Sequence, residues 1–221
     1  MFKWEYLWIN LILLILGYFI GSISISIIIS KLKNRDIRKE GSKNAGATNA
    51  LRVFGFKFAS LVFIFDLCKS FIPTMITFIV KYFTNNLYII PFFTGLGAFI
   101  GHIFPTYFKF KGGKGVAAFF GLILAFDLTT FLWLALFYIL LVLAIRYISI
   151  CSVITAITFA FISFIPLYYS TWALSFINHN VPLWSHSYIL IFASIIILLK
   201  HIPNYIRLSN HEEKKIILCK Y

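Results

Sequence analysis

Long apolar runs broken by clusters of lysine and arginine constrain this chain more than any other feature. Seven such runs occupy residues 6–29, 57–80, 89–104, 116–126, 131–145, 150–168 and 187–199. Several approach the roughly 20 residues that a helix needs to cross a hydrocarbon core. With 61% of residues hydrophobic and 12% charged, too little polar surface exists to cover a water-soluble core. The chain therefore reads as an all-α integral membrane protein forming a single membrane domain, 1–221. Trp4, Trp8 and Trp184 fall near run ends, where interfacial tryptophans sit. The run at 116–126 reaches only part of the way across. Asp127-Leu128-Thr129-Thr130 is either a tight turn between two helices or a bend in one long helix, so seven spans are expected, with six as the alternative.

Charge sets the orientation. Of the 20 Lys and Arg, all but Lys3, Lys69 and Lys81 follow the first, third, fifth or seventh run. The positive-inside bias then places the N-terminus outside and the C-terminus in the cytoplasm, which requires an odd number of spans and favours seven. The net charge of +13 is accounted for by topology and anionic membrane lipids, and no nucleic acid is expected as a partner. Lys3 precedes a run too long for a signal-peptide core and without a small-residue cleavage site, so 6–29 reads as a retained span. Cys68, Cys151 and Cys219 are too far apart for a disulfide framework or a zinc spacing.

Three polar segments interrupt the apolar sequence, and on this topology all three lie at the cytoplasmic face. The first is Gly41-Ser42-Lys43-Asn44-Ala45-Gly46-Ala47-Thr48-Asn49, closed by Arg52. Glycines that turn amides toward an anion, hydroxyl and amide side chains and a guanidinium fork together suit a phosphate. The preceding Arg35-Asp36-Ile37-Arg38-Lys39-Glu40 reads as a solvated face of mutually compensating charges.

The second segment runs from His102-Ile103-Phe104-Pro105 to Lys111-Gly112-Gly113-Lys114-Gly115. It is not a nucleotide P-loop, since no Ser or Thr follows the lysine and no buried strand precedes it. Amides and two ammonium groups at a helix start still make an anion site. His102 and Pro105 either cap the preceding span or act directly.

The third segment, Lys200-His201-Ile202-Pro203-Asn204-Tyr205-Ile206-Arg207, spaces His201, Asn204 and Arg207 three apart, one polar ridge on a helix. Within the second span, Asp66 and Lys69 also lie three apart and are expected to form a structural ion pair, because an isolated charge there is expensive. No internal repeat with interrupted helices marks the chain as a transporter.

At these residues the sequence resembles the bacterial acyl-phosphate:glycerol-3-phosphate acyltransferases of the inner membrane. The matching regions are 21–55, 101–115 and 200–213, with Asp66, Lys69 and Arg146-Tyr147-Ile148-Ser149 between them. Ser24, Lys200 and His211 stand where that family usually has Pro, Arg and Gly. The resemblance implies a multi-pass enzyme of the bacterial inner membrane with its site on the cytoplasmic side. It would transfer a fatty acyl group from acyl phosphate to the sn-1 hydroxyl of glycerol 3-phosphate, giving 1-acylglycerol 3-phosphate and phosphate. This is the first acylation of phospholipid biosynthesis.

An acyl phosphate is already activated, so neither a covalent nucleophile, a cofactor nor a metal is required if the protein positions the hydroxyl and neutralises the leaving charge. The roles then implied put Arg52, Lys111 or Lys114, His201 and Asn204 on the glycerol phosphate. Gly46, Thr48, the Gly112 and Gly113 amides and Ser149 would receive the acyl-phosphate headgroup, Ser42 would bridge or orient, and Asn44, Asn49 and Arg207 would add phosphate contacts. His201 or a substrate phosphate oxygen would act as base in a site with no obvious carboxylate. The acyl chain would lie in a groove between spans among membrane lipids, and the soluble enzyme that makes acyl phosphate is a further possible partner.

Overall fold

The structure is a computed structural model that describes residues 7–166, 177 and 181–216. Lys3, Trp4, Tyr6, the end of the run at 150–168, most of 169–186, Cys219 and Lys220 lie outside them. The described elements are helical: α1 (Leu7–Gly21), α2 (Ile25–Leu32), α3 (Ala47–Phe54), α4 (Phe56–Thr84), α5 (Phe92–Ile103), α6 (Val116–Phe126), α7 (Leu128–Ile145), α8 (Ile148–Ile162), α9 (Ser185–Lys200) and α10 (Ile202–Ser209). Short 3₁₀ turns stand at Ile37–Lys39 and Thr106–Phe108.

Each of the seven apolar runs coincides with helix, the first as α1 and α2 with a break at Ser22-Ile23-Ser24. By length and composition three of them can cross a membrane: Leu7–Leu32, Phe56–Thr84 and Leu128–Ile145. A fourth results if α9 and α10, bent by 41°, are taken as one. At 1.5 Å per residue the 11 residues of α6 extend only about 16 Å.

Asp127 separates α6 from α7. Its backbone is extended, and its carboxylate accepts the Thr130 amide at 2.6 Å, capping α7. The start of α6 (Val116, Ala117) and the residues just past α7 (Ile148, Ser149) line one cavity. The two helices thus run out and back as a hairpin, and the one-bent-helix alternative does not apply.

The core explains why the short helix α6 sits innermost. Phe119, Leu122, Ile123 and Phe126 of α6 are fully or almost fully buried against Phe92 and Phe99 of α5, Phe159 of α8 and Leu190 and Ile197 of α9. Edge-to-face aromatic pairs tie α6 to α5 and α8. Conversely α7 buries only Thr130 and Leu134, turning Leu132, Trp133, Leu136, Ile139, Leu140 and Leu143 outward, an apolar face that suits hydrocarbon.

Helices α1 and α5 touch backbone to backbone. A β-carbon on Gly17 would stand 2.0 Å from the Thr94 carbonyl oxygen, and one on Gly97 2.0 Å from that of Leu14. Small residues permit this approach where lipid supplies no hydrophobic drive between helices.

Candidate active site at the junction of the three polar segments

The first segment folds because Asn49, fully buried, knots it. Asn49 Nδ2 lies 3.0 Å from the Ile37 carbonyl, 3.0 Å from that of Glu40 and 2.9 Å from that of Asn44, while its Oδ1 accepts the Ser42 amide at 2.8 Å. Gly41 adopts φ +57 directly against this side chain; a β-carbon there would stand 2.3 Å from Asn49 Oδ1. Asn49 is therefore fully used by the loop and is not placed to hold a phosphate.

The stretch Arg35 to Glu40 is likewise more than a solvated face. Ile37 is fully buried, and Arg38, paired with Asp36, donates from Nη1 to the Phe108 carbonyl at 2.9 Å, clamping the first segment to the second. The Asp36–Arg38 hydrogen bond holds the aspartate well down, at about 2.

All three segments meet in one cavity of about 110 Å³. Ser42, Asn44, Gly46, Thr48 and Arg52 line it from the first, Lys114 from the second, His201 and Asn204 from the third, and Ser149 from α8. Three helix starts converge on it, those of α3 (Gly46, Ala47, Thr48), α6 (Gly115, Val116, Ala117) and α8 (Ile148, Ser149). First-turn amides lack intrahelical acceptors, and each helix brings roughly half a positive charge to its N-terminus. An anion is what such a cavity accommodates.

The cationic side chains reinforce this field. Lys114 Nζ donates to Asn204 Oδ1. Burial, with the charges of Arg207 and Arg52 close by, lowers its pKa from the usual 10.5 to about 8. Arg52 has no hydrogen-bond or ion-pair partner among the described residues. His201 Nδ1 lies 2.8 Å from the Ile197 carbonyl; a carbonyl only accepts, so Nδ1 carries the proton and the neutral ring keeps its lone pair on Nε2.

Besides Asn49, four expected ligands, Lys111, Gly112, Gly113 and Arg207, fall outside the cavity. The Gly113 amide is bonded to the His102 carbonyl at 3.1 Å. Of residues 111–115, those that line the cavity are instead Lys114 and Gly115, at the start of α6. Arg207 lines a wider polar vestibule with Lys43, Lys214 and Lys215 that shares Ser42, Thr48, Arg52 and Glu213 with the cavity.

The cavity also holds two carboxylates, Asp66 and Glu213, where none was expected. Glu213 accepts from Asn204 Nδ2 at 2.7 Å and Arg207 Nε at 2.9 Å, orienting the Asn204 amide so that its oxygen faces Lys114. The signal for Glu213 was the acidic pair Glu212-Glu213 just past the polar ridge, too weak to assign without the fold. Asp66 and Lys69 are in contact at 2.6 Å.

On its membrane side the cavity opens to an apolar groove. Ala47, Thr48, Phe63 and Ile148 line both, and Leu51, Phe56, Ala59, Ser60 and Ile64 continue the groove.

The profile of a family described as glycerol-3-phosphate acyltransferase matches residues 11–211. A glycerol-3-phosphate acyltransferase from Mycoplasmopsis agalactiae is 40% identical over 96% of this chain and 96% of its own length. One from Aquifex aeolicus is 41% identical over 71% of this chain and 82% of its own. Among solved structures, the crystal structure of PlsY, an integral membrane glycerol 3-phosphate acyltransferase, in its glycerol 3-phosphate form superposes with a TM-score of 0.78 at 32% identity. That match covers 94% of this chain and 96% of the other. Its lysophosphatidic acid form gives a TM-score of 0.75.

Proposed function

The chain belongs to the glycerol-3-phosphate acyltransferase family, and from that premise we propose that it moves a fatty acyl group from acyl phosphate to the sn-1 hydroxyl of glycerol 3-phosphate. The single observation that carries this reading is the three-way junction. One anion-seeking cavity is continuous with a cationic vestibule on one side and an apolar groove on the other. A donor with a phosphate head and a fatty tail and a small phosphorylated acceptor meet at such a place and nowhere simpler.

In this reading Arg52, Lys114, His201 and Asn204 hold the glycerol phosphate. Gly46, Thr48 and Ser149, with the amides opening α3, α6 and α8, receive the acyl-phosphate head, and the tail lies along Leu51, Phe63 and Ile64. The hydroxyl oxygen attacks the acyl carbonyl carbon, the new ester C–O bond forms, and the carbonyl-to-phosphate C–O bond breaks to release inorganic phosphate. The hydroxyl proton has two acceptors, a donor phosphate oxygen and His201 Nε2. Helix N-termini and Lys114 stabilise the charge gathering on the departing phosphate, a preorganised field that needs no reorganisation during reaction.

Topology supports the same site. Helices α4, α6 and α8 leave the cavity, and α5, α7 and α9 return to it. With α1 and α2 as the first pass, this makes seven passes with the site at the cytoplasmic end in a bacterial cell membrane. Cysteine labelling from outside at position 86 but not at 43 is expected, and the reverse pattern overturns the orientation.

Purified protein in vesicles, given radiolabelled glycerol 3-phosphate with palmitoyl phosphate, acyl-CoA or acyl-carrier protein, tests the reaction. Lipid-soluble product with palmitoyl phosphate alone is expected. Product only from a thioester donor removes the acyl-phosphate assignment, and uptake without product makes the protein a carrier. A basic limb of the pH–rate profile that persists in His201→Gln leaves the proton to the phosphate oxygen.

A further inference from the structure

Against the loop that carries Lys114 lies a buried ionic cluster, two members of which, Asp66 and His102, also line the cavity, and the acyl transfer described above gives it no task. Asp66 on α4 is 2% exposed, and its Oδ1 lies 2.6 Å from Lys69 Nζ and 3.3 Å from Nδ1 of His102 on α5. Lys69 Nζ is also 3.1 Å from His102 Nδ1 and 3.1 Å from the Ile23 carbonyl oxygen. With three N–H groups, the ammonium serves the carboxylate, the carbonyl and the ring nitrogen together. The cluster fixes His102 from α4, α5 and the break between α1 and α2.

The other edge of His102 meets the glycine pair. Its carbonyl accepts the Gly113 amide at 3.1 Å. A β-carbon on Gly113 would stand 2.1 Å from His102 Nε2 and 2.6 Å from Cε1. On Gly112 it would stand 2.1 Å from the His102 carbonyl oxygen and 2.6 Å from Pro105 Cδ. Gly41, Gly55 and Gly115 are the described glycines with positive φ, and Gly112 and Gly113 are not among them. The backbone of these two residues would accept a side chain; the space over His102 does not.

We propose that His102, clamped by Asp66 and Lys69, is a positioning residue for Lys114, and that residues 112 and 113 are glycines to let the loop close over its ring. A glycine pair that looks like a phosphate nest is on this reading a seat for an imidazole. The contacts run without a gap from Asp66 through Lys69, His102 and Gly113 to Lys114, and on through Asn204 to Glu213. The opposite charges of Asp66 and Lys69 offset each other, so the cluster acts on the site through geometry. The His102 contact falls on the residue next to Lys114, and a displacement of about 1 Å at a reacting group is enough to cost a large factor in rate.

This inference rests on the acyltransferase reading, and the test separates the two. Wild type, H102A, K114A, H102A/K114A, G113A and G113A/H102A are compared in nanodiscs by kcat and KM for glycerol 3-phosphate, with H102N in place of H102A if the latter does not stay monodisperse. Asn keeps a polar reach toward Asp66 while removing the ring edge over Gly113. K114A is expected to lower kcat/KM by about 100-fold in wild type, as loss of a charge-assisted contact does, and by less than about tenfold once His102 is gone, because Lys114 is then already displaced. G113A is expected to be severely impaired and to regain at least about fivefold when His102 is shortened, since the clash it creates is with that ring. Equal K114A factors in both backgrounds, or no recovery in G113A/H102A, overturn the positioning role while wild-type turnover leaves the acyltransferase reading intact. A wild-type protein without acyl transfer overturns the reading itself.

Discussion

Replacing Asn49 by alanine should disable the enzyme without removing a substrate contact. The side chain has two N–H protons shared among the carbonyls of Ile37, Glu40 and Asn44, and one oxygen accepting the Ser42 amide. Alanine deletes about three net hydrogen bonds at roughly 1 kcal/mol each, and the carbonyls and amide left behind are buried, so about 3 kcal/mol is the expected cost. That loss falls on the loop between the 3₁₀ turn and α3, which is otherwise held by buried Ala45 and the Ser26 hydroxyl on its carbonyl. About 3 kcal/mol corresponds to a shift of roughly 100-fold in the ratio of ordered to disordered loop. Ser42 and Asn44 then leave the cavity about 100-fold more often.

The expected kinetics are a fall in kcat for both substrates rather than a rise in one KM. Trypsin should also cut faster at Lys39 and Lys43, which are exposed but lie in a knotted loop. Steady-state kinetics in nanodiscs and a timed digest measure the two effects. Asn49→Asp sharpens the comparison, because it keeps the acceptor for Ser42 but aims a carboxylate at three carbonyls, and it should be no better than alanine. An Asn49→Ala protein with unchanged kcat, a raised KM for glycerol 3-phosphate alone and wild-type trypsin resistance would refute the scaffold assignment and restore Asn49 as a phosphate ligand.

Lys114, with its pKa lowered to about 8, is charged below that pH and neutral above it. The free enzyme should therefore lose affinity for glycerol 3-phosphate as pH rises through about 8; Lys114→Arg should move this limb of the kcat/KM profile to higher pH, and an unmoved limb assigns it to another group. Arg52→Ala should lower kcat/KM by about 10- to 100-fold, the loss of 1.5–3 kcal/mol for a hydrogen bond to a charged group; Arg52→Lys should recover part of it, and full activity in alanine removes Arg52 from the site. His211 holds φ +58, where a non-glycine residue is disfavoured by about 1–2 kcal/mol. After the extra unfolded-state freedom of glycine is subtracted, His211→Gly should stabilise the protein by roughly 0.5–1 kcal/mol. Thermal unfolding in detergent measures it, and an unchanged or lower midpoint contradicts the strain.

The departures from the family pattern have local accounts. Ser24 stands at the N-cap position of α2 with an extended backbone and no side-chain capping bond, so the break after α1 forms without proline. Lys200 lies over the Phe104 ring at 4.1 Å, a cation–π contact that a guanidinium would also make.

Much of the architecture was legible in the residues because it depends on short-range rules. Apolar runs specify helices, and three-residue spacing put Asp66 beside Lys69 and His201, Asn204 and Arg207 along one ridge. Parity of the runs was enough to bring the three polar segments to one end. What the tertiary structure alone decided is which polar group faces the cavity and which faces protein.

Asn49 and Asn44 look equivalent in sequence, yet one knots the loop and the other lines the cavity. Gly112-Gly113 has the composition of an anion nest, yet its space is set by a histidine on another helix. Lys114 and Asn204, 90 residues apart, and Asp66 and His102, on different helices, meet only because α4 to α9 run out and back to the same floor. A sequence carries local propensity residue by residue, but whether a donor is spent on the fold or left for a ligand depends on contacts that chain closure creates.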